Sequence, residues 1–227
     1  MTDRRLKDVL TFASSQEVLE AVKEAGARLS SLAVHGRSTQ ARTEQSLSLH
    51  NLARHTGQEL LRIARNFDQG LDIIAWSTRN IFELNLLVRY VLQAEANATR
   101  FLAESAMDEQ QVLEGFLSLA ATPTSDAIRA VKDRIASLSA MAAKHGISLL
   151  KPLPTAELAK LVGCTEEYTG MFKFMSKYVH PSSWLVNRSS EDTQGDSYRD
   201  ILLVNAQLYA GDSYERIRVA FGLASDA

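Results

Sequence analysis

The stretch LDIIAWSTRNIFELNLLVRYVLQ, residues 71–93, decides how the rest of the chain must be arranged. Projected at 100° per residue, its apolar side chains cover nearly the whole circumference, so a helix here needs neighbours on most sides. Charge sits in it nonetheless. Asp72, Arg79, Glu83 and Tyr90 fall within about 40° of one another on one stripe, with Trp76, Leu86 and Leu87 alongside. If that stripe faces the interior, its charges need partners beyond each other, because an uncompensated buried charge costs several kcal/mol.

Outward from this helix the pattern stays helical. Apolar residues recur at three- and four-residue spacing and no segment alternates for long with period two, which predicts an all-α fold. A short helix is expected around residues 4–12. The next opens at Ser14, where Glu17 completes a capping box, and closes at His35-Gly36. A second runs from Ser38 or Thr39 to about Asp68, with Leu49, Leu52, Leu60, Ile63 and Phe67 as its seam. After the helix over 71–93, a fourth takes Asn97 as cap and lasts to about Ala121, and a fifth spans Ser125 to His145, where Gly146 ends it.

The prolines of ISLLKPLP, 147–154, exclude a helix and mark a break between an N-terminal bundle and the C-terminal helices. Beyond it, Thr155 caps a short helix to Leu161, Thr165 caps one that ends at His180, and a polar loop leads into a last helix over about 197–223. The expected architecture is a single all-α domain over 1–227, an antiparallel bundle of about seven or eight helices.

Composition narrows the function classes. The chain is 227 residues long, 45% hydrophobic and 23% charged, with a net charge of −2. That balance argues against a broad electrostatic footprint for duplex DNA or an anionic membrane, and no stretch approaches the roughly 20 apolar residues of a membrane helix. The single cysteine, Cys164, allows no internal disulfide, which fits a reducing compartment and a cytoplasmic location.

FKFMSKYVHPSSW, 172–184, ends an aromatic and aliphatic helix on the ionisable His180 with Pro181 behind it. The negative end of the helix dipole favours a protonated ring there. His180 is therefore the natural third member for Arg79 and Glu83, which are four residues apart and can touch. Together they suit a phosphate or carboxylate ligand, with Arg79 as fork, His180 as general acid or base and Glu83 as orienter. Arg-Glu-His networks between helices are also commonly structural, and both readings stay open at this point. Trp184, Arg188 and Asp192 could close over such a site or form a solvated loop with one anchoring tryptophan.

Other signals are weak. No G-x-x-x-x-G-K or G-x-G-x-x-G occurs, so no glycine-lined phosphate cradle or nucleotide cofactor is expected. His50 and His55 point about 140° apart, and neither pairs with His35 or His145 in a ligand pattern, so no metal is expected. Arg37, Arg42, Arg54, Arg62 and Arg65 make a basic run that would meet RNA or an acidic partner, or simply be solvated.

The blocks STRNIFELNLLVRYVL and SKYVHPSSW resemble an uncharacterised family of bacterial helical proteins with an R-x-x-x-E helix and a later V-H-P-S element. These are Arg79, Glu83 and Val179-His180-Pro181-Ser182 here. A more distant resemblance is to the HEPN superfamily, helical bundles that often act as metal-independent ribonucleases in antiphage and toxin systems. It implies an RNA substrate and a defence or stress role. Those enzymes carry Arg and His on one helix with four to six residues between them. The corresponding spacing here is Arg28 to His35, with Leu29 where a polar residue is usual, so the resemblance requires Arg79 and His180 to meet across two helices. Two expectations follow: a bundle whose Arg79, Glu83 and His180 bind an anionic ligand or cleave RNA, and a non-catalytic interaction or homodimerising bundle in which the cluster fixes helix register.

Overall fold

A computed structural model describes residues 14–119, 125–144, 150–189 and 194–224. Among these the protein is all-α: α1 (Ser15–Thr39), α2 (Glu44–Arg65), α3 (Leu71–Gln93), α4 (Glu95–Leu119), α5 (Ser125–Lys144), α6 (Thr155–Leu161), α7 (Thr165–Glu167), a π-helical turn (Tyr168–Phe172), α8 (Lys173–Val179), α9 (Ser183–Val186) and α10 (Asp196–Ala220). The helix expected over 4–12, and the expected stop at His145 and Gly146, lie outside the described residues. Leu150–Pro154 is non-helical, as its two prolines require.

The all-round apolar helix is the hub. α3 packs against α10, α2, α8, α4 and α6, and Leu71, Ile74, Ala75, Ile81, Phe82, Leu86, Val88 and Val91 have no exposed surface. Phe82 anchors it, its ring edge-on to Tyr209 of α10 at 4.9 Å and 5.8 Å from Phe172 of the π-helical turn. Burial of one such ring stabilises the fold by about 1.5–3 kcal/mol. One core cluster runs from Val22 on α1 through α2 and α3 to Leu158, Met175 and Ile217.

Helix starts follow the sequence where side chains set them. Ser14 and Glu17 form the capping box of α1, which satisfies two of its otherwise unpaired N–H groups. The α1–α2 boundary differs from expectation. Gly36 does not stop α1, which continues to Thr39. Ser38 Oγ bonds back to the carbonyls of Val34 and His35, so it sits inside the helix and does not cap the next one. Thr43 caps α2 in a box with Ser46. Gly36 is needed for closeness: a Cβ there would come within 2.3 Å of the Phe221 ring. α1 and α2 also cross at two glycines, where a Cβ on Gly57 would lie 2.9 Å from the Gly26 carbonyl.

Asn97 likewise does not cap α4. The chain breaks at Ala94, extended at φ −160, and Asn97 Nδ2 donates to the Tyr90 carbonyl across the corner. α5 packs on α4, tied by Arg134 to both oxygens of Glu109 at 2.7 and 3.0 Å.

Candidate functional site

α8 lies against α3, and its C-terminus delivers His180 to the exposed edge of that contact. His180 is extended at φ −118, outside the helix, and Ser182 caps the single turn of α9 that follows. The loop read as irregular therefore contains a helical turn, because a serine three residues before Leu185 accepts from its N–H.

Arg79 Nη1 stands 3.4 Å from His180 Nε2, and Arg79 Nη2 stands 3.3 Å from Glu83 Oε1. The guanidinium also lies over the Phe172 ring, 4.7 Å from its centroid. The Arg79 and Glu83 side chains are 22% and 34% exposed and His180 is exposed, so the cluster occupies a rim and not a sealed interior. Of the expected stripe, Tyr90 turns inward and Asp72 is exposed at the start of α3.

Three chemical consequences follow. A guanidinium only donates, so His180 Nε2 accepts with its lone pair and the contact belongs to the neutral ring. Burial pushes the Glu83 carboxyl above its ordinary range, and the charge and hydrogen bond of Arg79 offset only part of this. Arg79 Nε is buried with no hydrogen-bond partner among the described residues, a condition that costs about 1–3 kcal/mol and raises the pull on any acceptor nearby.

Glu83 reaches the guanidinium; among the described residues no hydrogen bond or ion pair joins it to the imidazole. The contact seen is with Arg79, whereas the expectation was a contact that orients His180. Trp184 packs edge-on against Tyr178 and Tyr198 at 5.4 and 6.0 Å, and Arg188 lies 5.7 Å over its ring, which makes Trp184 the anchor of the loop. Asp192 lies outside the described residues. Arg28 of the alternative Arg28–His35 spacing is stacked over Tyr214 at 4.6 Å.

A second polar node, on another face of α3, was not read from the sequence. Asp212 Oδ2 accepts from Arg216 at 2.7 Å, Asn85 at 2.7 Å and Arg89 at 3.2 Å. Burial alone would raise the Asp212 carboxyl, but hydrogen bonds from Arg216 and Asn85 and the charges of both arginines hold it below the ordinary range. Its pairs Asn85/Arg89 and Asp212/Arg216 were visible as four-residue spacings, but nothing in sequence joins them. Each of its charges has a partner, which marks it as a clamp between α3 and α10.

The basic run divides. Arg62 is fixed by both Glu59 oxygens at 3.0 Å. Arg37, Arg42 and Arg54 line a separate surface cleft of about 1200 Å³ at the α1–α2 turn. Its arginines are exposed, whereas the α3–α8 rim brings the three residues singled out in the sequence, Arg79, Glu83 and His180, to one edge. His50 is tied to the Ala33 carbonyl at 2.7 Å. Among the described residues, no group of three or more His, Cys, Asp or Glu is placed to hold a metal, and no helix is long and apolar enough to cross a membrane.

A family model described as a family of unknown function (DUF5677) matches residues 48–197, a span that contains Arg79, Glu83 and His180. The chain belongs to that family. No curated protein and no solved structure matches it.

Proposed function

We propose that the α3–α8 rim of this DUF5677 protein binds an anionic, phosphate-type group, with RNA phosphodiester cleavage as the activity. One observation carries the reading: two cationic-capable groups 101 residues apart, Arg79 and His180, converge at 3.4 Å on an accessible edge. Arg79 is the fork for the phosphate oxygens, and Glu83 positions that fork through its ion pair. As Arg79 turns to the phosphate it releases the Nε2 lone pair, and His180 Nε2 then takes the proton of the 2′-hydroxyl as the 2′-oxygen bonds to phosphorus. The P–O5′ bond breaks, the leaving oxygen collects a proton from solvent, and Arg79 balances the charge on the equatorial oxygens. The HEPN resemblance implies the same substrate class, and a defence or stress role belongs to the proposal with it.

The test is purified protein incubated with RNA beside His180→Ala. Cleavage by the wild type alone supports the reading; equal cleavage by both, or none by either, removes the catalytic part. A second reading has its own observation. The guanidinium stacked on Phe172 pins the π-helical turn to α3, as expected of a cluster that only sets helix register in an interaction or dimerising bundle. That reading predicts that Arg79→Ala lowers Tm sharply and changes no binding.

A further inference from the structure

On one arc of α3 the side chains that are not buried follow one another in the order Arg79, Asp72, Glu83, Trp76, Leu87 and Asn80. α8 and the π-helical turn wall it on the Arg79 side, through His180 and Phe172. Arg62 of α2 walls the other side. Trp76 stands in the middle and is 46% exposed, although indole is among the side chains with most to gain from burial. The Arg62 guanidinium lies 4.8 Å from the centroid of its ring and is held there by the two bonds to Glu59. The ring is therefore braced by Arg62 on one side while nearly half of the residue stays exposed. Arg79 follows Trp76 by three residues, which puts the two side chains next to each other on the helix surface.

We propose that this arc is a nucleotide subsite in which Trp76 stacks the base while Arg79 and His180 hold the adjoining phosphate. The proposal rests on the anion reading of the rim and adds to it the part that recognises a ring. A braced indole next to an arginine–histidine pair matches a ligand whose planar heteroaromatic group is one short linker from a phosphate. Free nucleotides and single-stranded RNA share that chemistry. Base–aromatic stacking tolerates any base, so the subsite selects for an unpaired nucleotide and not for a sequence. A duplex, whose bases are already stacked on one another, is excluded from it.

The experiment is fluorescence anisotropy of a short labelled oligoadenylate with the wild type, Trp76→Ala, Trp76→Phe and Arg79→Ala, each competed with AMP and with inorganic phosphate. Trp76→Ala is expected to weaken oligonucleotide and AMP binding about tenfold, Trp76→Phe to recover most of it, and inorganic phosphate to inhibit wild type and Trp76→Ala alike. Displacement by AMP at concentrations comparable to the oligonucleotide assigns the subsite to free nucleotides, and displacement only at far higher concentrations assigns it to single strands. Unchanged oligonucleotide affinity in Trp76→Ala overturns the stacking role, and leaves the anion reading intact if Arg79→Ala still binds more weakly. Inorganic phosphate that displaces nothing, together with an unaffected Arg79→Ala, overturns the anion reading itself.

Discussion

Arg79 on α3 and His180 at the end of α8 share one edge of the bundle, with the guanidinium 3.4 Å from imidazole Nε2 and 4.7 Å over the Phe172 ring. The guanidinium thus has both a stabilising contact and an accessible end. Arg79→Ala is expected to cost about 1–2 kcal/mol through the lost stacking and ion pair, and to weaken phosphate binding as well. Urea melts and phosphate titration of the same sample separate the two effects. A purely structural cluster would move only the first.

Glu83 gives a pH dependence of opposite sign to most carboxylates. Burial raises its value in the fold, so the folded state binds more protons than the unfolded one between the ordinary and the raised value, and stability falls as pH rises through that interval. Glu83→Gln should therefore be more stable than wild type at pH 7, by at most about 1 kcal/mol for a side chain this exposed. The gap should close by pH 4. Thermal melts across that range check it.

Asp212 behaves in the usual sense. Its depressed value means that its stabilisation is present at neutral pH and lost as pH falls below the ordinary carboxylate range, through the folded value. Asp212→Ala leaves Arg89 and Asn85 without their shared acceptor, and about 2–4 kcal/mol of stability should go with it. Urea unfolding at pH 7 measures the loss, and a smaller acid-induced decline in the variant confirms its origin.

The α1–α2 crossing makes Gly57 intolerant of a side chain. Alanine normally gains about 1 kcal/mol over glycine inside a helix. Here its Cβ would press on the Gly26 carbonyl at 2.9 Å, so Gly57→Ala is expected to lower Tm. An alanine variant that melts higher than wild type would show that the helices separate freely at this point.

Cys164 is buried, and burial pushes its thiol up, with the charge of Arg89 only partly opposing. The thiolate that reacts is therefore scarce. Ellman's reagent should label the native protein slowly and the urea-unfolded protein at once.

How much of this was legible varies with the physics. The limits of α3 could be read because a helix that is apolar all round has few ways to end. The α1–α2 boundary could not, because Ser38 is a good cap in isolation and only its bonds to the Val34 and His35 carbonyls place it inside the helix. Gly36 resembled a terminator, yet its reason is the Phe221 ring, 185 residues away in sequence. At the rim, Arg79–Glu83 follows from four-residue spacing, and His180 from the break that Pro181 imposes on an apolar helix. The stacking of Phe172 on Arg79 was hidden because it lies in the π-helical turn, whose extra residue per turn shifts the register that a 100° projection assumes. Trp76 was visible on the stripe, but its exposure was not.

The most direct measurement follows the His180 ring nitrogens by NMR while inorganic phosphate is added to the wild type and to Arg79→Ala. A saturable shift of the His180 signals in the wild type, absent or much weakened in the variant, is the predicted result. Signals that do not move in either protein, or that move equally in both, would contradict a shared phosphate site.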